Sequence, residues 1–472
     1  MLFDALADPS DRVALRFGDR TLTYAQLRAA ATAVADRVGR HERVAVWAVN
    51  EPEVAVAVIG SLLAGVPITP INPKAGTSEL KHILDDSAPD IVLCAPSARP
   101  ELANTVDVDL DARGGALPPE PDEQAPAIVV YTSGTTGPPK GAVLPRRAIA
   151  SNLDALAGAW EWTEHDVVAH ALPLFHVHGL ILGTLGPVRR GGGVRHLGRF
   201  SAAAAAAALG EGATMLFAVP TMYHRLAAEA EADAEIARGF AGARLLVSGS
   251  AALPAVEHER IERLTGQKIA ERYGMTETLM NTGVRASGER RPGYVGPPLA
   301  GVDLRLVDDD ANAIEAADDE TIGEIHVRGP NLFLEYLNRP DATAEAMIDG
   351  WFRTGDLATR APDGYIRIVG RRATDLIKSG GFKIGAGEIE GALLEHPGVK
   401  EVAVTGEPDP DLGERIVAWV VIADGESPSQ DDLSGHVADM LTPHKRPRVV
   451  HFVDRLPRNE MGKVQKKRLV AP

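Results

Sequence analysis

Short apolar runs alternate with segments of helical periodicity from the N-terminus onward. RVAVWAV (43–49) reads as a strand, and EPEVAVAVIGSLLAG after it as a helix with proline in its first turn. DIVLCA (90–95), AIVVYTS, DVVAHALPL, ATMLFAV and ARLLVSG predict further strands, each followed by a Gly- or Pro-bearing loop and a helical stretch. This alternation predicts a largely parallel α/β sheet, with ligands at the carboxyl ends of its strands. After about Gly301 the pattern changes. VDLRLVD, GEIHVRG and GYIRIVG are short alternating strands separated by turns, as in an antiparallel β-rich subdomain. Beyond Gly370 come GFKIGAGEIEGALLEHPGV, KEVAVTGE, ERIVAWVVI, a helix around DDLSGHVADML, and RVVHFVD. Strand and helix over about a hundred residues suffice for a small α+β domain. The expected division is 1–370 and 371–472, across the charged boundary VGRRATDLIK. SAAAAAAALG (201–210) is read as a helix, and no internal repeat is found.

Composition narrows the function without naming it. The 472 residues are 45% hydrophobic and 24% charged, an ordinary balance for a chain of two to four globular domains. A formal charge of −16 argues against general nucleic-acid binding but leaves room for a small anion in a local basic pocket. The single cysteine, Cys94, excludes an intramolecular disulfide and a thiolate metal cluster, and its setting in IVLCA reads as core. MLFDALADPSDR has no basic segment leading into an apolar one, so it is not read as a signal peptide. VAVAVIGSLLAGVPITPI (54–71) is broken by Pro67 and Pro70 and reads as a core helix entering a turn, not a membrane span. The expectation is a soluble cytoplasmic protein without membrane or nucleic-acid partners.

One segment carries unusual chemistry. YTSGTTGPPKG (131–141) packs three glycines, several hydroxyls and one lysine directly behind an apolar strand. Glycines let backbone N–H groups approach an anion, hydroxyls add donors, and Lys140 adds charge, which makes a phosphate loop. It is not a Walker A loop, because Gly141 follows the lysine where that motif needs Ser or Thr.

With RYGMTET (272–278), WFRTGDLA around Asp356, GRRATDLIKSGGFKIGAGEIE and PRNEMGKVQKKRL around Lys463, this segment resembles, in order and over nearly the whole chain, the signature of the adenylate-forming enzymes. That family includes acyl-CoA synthetases, luciferases and peptide-synthetase adenylation domains. The resemblance implies a reaction in which a carboxylate attacks the α-phosphorus of ATP, with Mg2+ present, and the acyl-adenylate then passes to coenzyme A. It implies that Thr132, Ser133, Gly134, Thr135, Thr136, Gly137 and Lys140 cradle the β- and γ-phosphates. Thr276 meets the α-phosphate, and Glu277, with Thr132, stands on the magnesium side. Ser250, Ala251 and Ala252 line the adenine, with Glu271, Tyr273, Gly274 and Met275 opposite. Asp356 takes the ribose hydroxyls with the help of an arginine. Aligning on ATDLI gives Arg372 and aligning on GR gives Arg371, and Arg372 is preferred. Lys463 is the catalytic lysine. Ser379, Gly380, Gly381 and Lys383 line a pantetheine tunnel once the small domain has turned about its hinge. The hinge position holds Thr374, where relatives often have Asp or Lys.

For the acid itself, LPLFHVHGLILGTL (172–185) resembles the acyl-pocket motif and lacks the aspartate with which amino-acid-activating domains bind an amine. His178, Ser248, Arg272 and Met280 are the expected pocket residues, with Met280 and Ile181 near a C2 substituent. A buried arginine is costly without a partner, and a second carboxylate on the substrate would supply one in bidentate fashion. HVHGL with ERYGMTETLMNT resembles malonyl-CoA synthetases, some of which accept methylmalonate. A short- or medium-chain fatty-acyl or aryl-acid CoA ligase, and a stand-alone carrier-protein-loading adenylation domain, are the alternatives.

Overall fold

The helix Pro52–Ala64 is buried along nearly its whole length, so it needs no polar face. It lies between two sheets, touching Val44–Trp47, Ile68–Ile71 and Ile91–Cys94 of one and Val13–Phe17 of the other. Gly65 ends it in the left-handed conformation, φ 73°, which only glycine adopts at no steric cost. In this computed structural model the described residues are 2–132, 138–372, 375–380, 382–458 and 464–469.

The first sheet has seven strands, in the order Glu335–Tyr336, Lys140–Pro145, Pro126–Thr132, Ile68–Ile71, Val44–Trp47, Ile91–Cys94, Thr105–Asp107. The second has eight, in the order Leu279–Gly283, Ile269–Met275, Leu245–Ser248, Met215–Ala218, Val167–His170, Gly193–His196, Val13–Phe17, Arg20–Thr23. Their central pairings are parallel, and the strands read from the apolar runs are all present. The phosphate-loop segment departs from the expected crossover. Pro126–Thr132 runs parallel to Ile68–Ile71, but the chain then returns antiparallel as Lys140–Pro145, with Thr132 opposite Lys140. The loop thus spans a hairpin end, not a strand-to-helix turn.

A third sheet, of six antiparallel strands, includes Asp303–Val307, Gly323–Arg328, Trp351–Arg360 and Ile366–Arg371. A fourth begins at Leu376–Ser379 and carries its own apolar cluster, built on Ile377, Ile389, Leu393, Val404 and Val420. Among the described residues no helix is long and apolar enough to cross a membrane. Cys94 is buried, and burial together with Asp107 pushes its thiol up to about 11, as a core cysteine should behave.

Candidate active site

The nucleotide-side residues gather where two sheets end side by side. Glu277 lies in the turn between Ile269–Met275 and Leu279–Gly283, a hairpin that closes tightly. A Cβ on Gly274 would meet the Leu279 carbonyl oxygen at 2.0 Å, so this position admits only glycine. Glu277 is buried, its Oε1 accepts a hydrogen bond from the Tyr336 hydroxyl at 2.7 Å, and burial raises its pKa. Lys140 lies over the ring of the same tyrosine, with Nζ 4.1 Å from the centroid. Thr276 is half-buried beside Glu277 in that turn, and Thr132 donates to the Lys140 carbonyl at 3.3 Å. Ser133, Gly134, Thr135, Thr136 and Gly137 lie outside the described residues.

Asp356 is buried and held from both sides. Tyr273 donates to its Oδ2 at 2.7 Å, and Arg371 Nε stands 3.1 Å from Oδ1. Antiparallel register sets the second contact, since Asp356 is the cross-strand partner of Arg371. Arg372 is directed elsewhere, to Glu324 at 2.6 Å and Asp309 at 2.8 Å. Of the two arginines, Arg371 and not Arg372 is the one that stands beside Asp356.

Glu271 also differs from expectation. Its carboxylate accepts from the Leu253 N–H at 3.2 Å and the Gly293 N–H at 3.3 Å, and it pairs with His258 Nε2 at 2.9 Å. These bonds tie it to the loop after Ser248. Ser250, Ala251 and Ala252 are exposed on that loop, with Ser250 at φ 75°. Tyr273, Gly274 and Met275 follow on the strand itself, half-buried.

The acid-pocket candidates share one feature: buried polar atoms without partners. Arg272 is 4% exposed, and among the described residues neither its Nε nor its Nη2 has a hydrogen-bond partner. Those two nitrogens form one edge of the guanidinium, the edge that matches a carboxylate. Burial pushes its pKa down to about 10, so it stays charged at neutral pH. His178 and Ser248 are buried too, and His178 Nε2 and Ser248 Oγ are likewise unpartnered. Burial, followed by the charge of Arg272, drives His178 well below the usual histidine range, so the ring is neutral. His178 Nδ1 and Ser250 Oγ are 3.4 Å apart. Arg272 thus carries a buried charge beside a neutral His178, and a buried charge without a partner is costly. Met280 is fully buried and bound through its backbone to both polar atoms of the Asn152 side chain, with Ile181 in the same core.

Sequence reasoning missed Gly249 and Tyr336. A Cβ on Gly249 would lie 2.4 Å from Arg272 Cζ and 2.5 Å from its Nε, so glycine leaves room for the guanidinium. Nothing local marks that role, because the partner is far along the chain. Tyr336 sits in a two-residue strand, too short for any periodic signal.

In the small domain, Ser379 is buried opposite Phe382, and Gly380 turns at φ 58°. Gly381, Thr374, Lys463 and the Lys383 side chain lie outside the described residues.

The AMP-binding enzyme profile matches residues 2–337, and that of the AMP-binding enzyme C-terminal domain matches 388–463. The human mitochondrial malonate–CoA ligase ACSF3 is 35% identical, covering 91% of this chain and 83% of its own length. A malonyl-CoA ligase solved as a ternary product complex with methylmalonyl-CoA and AMP is 64% identical, covering 97% of this chain and 100% of its own, at a TM-score of 0.76. ATP-bound MatB from Rhodopseudomonas palustris is 35% identical, covering 99% of this chain and 96% of its own, at a TM-score of 0.90.

Proposed function

Since the chain belongs to the AMP-binding enzyme family, we propose that it is an AMP-forming acid–CoA ligase whose acid is malonate or methylmalonate. The observation that carries the choice of acid is the buried, charged, unpartnered edge of Arg272. A monocarboxylate would bury that charge without completing it. A dicarboxylate brings a second anion of the right shape for the edge, with His178 and Ser248 as neutral neighbours.

In the first step the reacting carboxylate oxygen bonds to the α-phosphorus of ATP and the bond to pyrophosphate breaks. In the second the CoA sulfur attacks the acyl carbon, its proton is lost, and AMP leaves. Lys140 and residues 132–137 hold the outer phosphates, Thr276 meets the α-phosphate, and Asp356 with Arg371 takes the ribose. Lys463 offsets charge at the α-phosphate during the first step. Bound magnesium would offset charge on the phosphates. The residues fit that ion: Mg2+ is commonly held by one carboxylate together with phosphate oxygens, and Glu277 offers a buried carboxylate with only Oε1 bonded to the Tyr336 hydroxyl.

Residues 371–472 act as the turning unit, with Thr374 as its pivot. The likeness is higher to the ATP-bound relative at 35% identity than to the product-bound one at 64%. A differently placed domain of about a fifth of the chain would lower the score in this way, which supports a reading with two working arrangements. Ser379, Gly380, Gly381 and Lys383 then serve the pantetheine arm. The compartment we favour is the cytoplasm.

The test is kcat/KM for malonate and butyrate in wild type, Arg272→Leu and Arg272→Lys. Arg272→Leu should lose about 2–5 kcal/mol toward malonate, roughly 30- to several-thousand-fold, and spare or improve butyrate. Lysine should rescue in part. A parallel fall for both acids would remove the basis for the dicarboxylate assignment.

A further inference from the structure

The side chain of Tyr336 touches both Glu277 and Lys140, and nothing in the adenylation reading asks for it. Its segment is pinned on two sides. Leu334 N–H donates to the Val143 carbonyl and Leu337 N–H to the Gly141 carbonyl, which fixes it beside the strand leaving the phosphate loop. Phe333 N–H donates to the Glu277 carbonyl at 2.8 Å, which fixes it to the turn that carries the carboxylate. The Tyr336 ring packs edge-on against Phe333, at 4.9 Å between centroids. Its hydroxyl therefore has one place to go, Glu277 Oε1.

Lys140 and Glu277 are oppositely charged and close, yet among the described residues no ion pair joins them. The lysine rests on the face of the tyrosine ring instead. A direct pair would occupy both groups and would have to be broken before magnesium and phosphate could bind. The tyrosine gives each group a weaker, neutral partner.

We propose that Tyr336 is a positioning residue for the magnesium–phosphate end of the site: its hydroxyl holds one oxygen of Glu277 so that the other is presented to the ion, and its ring keeps Lys140 apart from that carboxylate. The proposal rests on the reading of Glu277 and Lys140 given above. The hydroxyl and the ring have separable consequences. Removing the hydroxyl alone should weaken what magnesium adds to ATP binding. Removing the ring should also weaken ATP binding without magnesium, because Lys140 can then close on Glu277.

The experiment is calorimetric ATP binding to the intact protein, without acid or CoA, in excess Mg2+ and in EDTA. Wild type, Tyr336→Phe, Tyr336→Leu and Glu277→Gln are compared, each checked for a native melting transition. For Tyr336→Phe the ratio of the two affinities should fall at least fivefold while affinity in EDTA stays within about twofold. For Tyr336→Leu affinity in EDTA should fall as well. Tyr336→Phe with the wild-type ratio, while Glu277→Gln has lost it, overturns the role of the hydroxyl alone. A wild-type ratio in Glu277→Gln overturns the reading of Glu277 and the proposal with it. Equal loss in Mg2+ and EDTA for Tyr336→Phe would make the tyrosine a packing residue and also overturns the proposal.

Discussion

Gly249→Ala is the smallest change that should retune the acid pocket. The new methyl carbon would lie 2.4 Å from Arg272 Cζ, 2.5 Å from Nε and 2.8 Å from Nη2. Carbon and nitrogen atoms in ordinary contact stand about 3.5 Å apart, so the guanidinium must withdraw by roughly 1 Å. It is buried and cannot swing into solvent. A misplacement of about 1 Å at a site that orients substrate costs on the order of 10²-fold, or about 2.7 kcal/mol at 1.36 kcal/mol per tenfold. Overpacking should add about 1–3 kcal/mol of destabilisation, which a melting curve will show. The assay is kcat/KM for malonate and for butyrate, with ATP affinity as control. Malonate should fall about 10²-fold, butyrate by less than about tenfold, and ATP affinity should hold. An unchanged malonate value would mean that the guanidinium edge is not where the acid binds. Equal losses for both acids would mean that the methyl disturbs the adenine loop and not the pocket.

Two further outcomes follow from the geometry. Arg371→Ala should raise the KM for ATP about tenfold or more by removing a charged partner beside Asp356, whereas Arg372→Ala should leave it within about twofold, as measured by acid-dependent pyrophosphate release. Stability should fall in mild acid. His170, His178 and His196 are buried and held below the usual histidine range by burial, His196 at about 4, while in the unfolded chain they titrate near 6.5. The native state then binds fewer protons below pH 6.5, so stability is full above that value and is lost on the way down. The loss is about 1.4 kcal/mol per pH unit per histidine. Melting curves at pH 7.5 and 5.5 should differ by roughly 4 kcal/mol, and His178→Gln should shrink the difference by about a third.

The parts of this molecule that could be read from sequence are those with a local signal. Apolar runs bounded by turns marked the strands of both large sheets, and RYGMTET and TGD marked Glu277 and Asp356 in short, distinctive contexts. Arg272 could be singled out because it precedes Tyr273 in the RYGMTET motif, where a buried arginine asks for an anionic partner. Alignment on ATDLI favoured Arg372 and alignment on GR gave Arg371, and nothing along the chain says which of the two meets Asp356. Cross-strand register places Arg371 opposite Asp356. Glu271 looked as available as Tyr273 until its bonds to His258 and two loop N–H groups were seen. Gly249 and Tyr336 act on residues distant in sequence, and no pattern along the chain records such a pairing.

Arg272 is a point of weakness in a closed core. Among the described residues no group pairs with its buried Nε and Nη2, so Arg272→Leu should melt higher than wild type in the absence of ligand. Selection for heat resistance alone would therefore favour loss of the residue that reads the acid. A laboratory lineage evolved toward robustness without malonate in the medium should drift toward monocarboxylates, and one grown with malonate should not, because there the substrate itself acts as the missing piece of the fold.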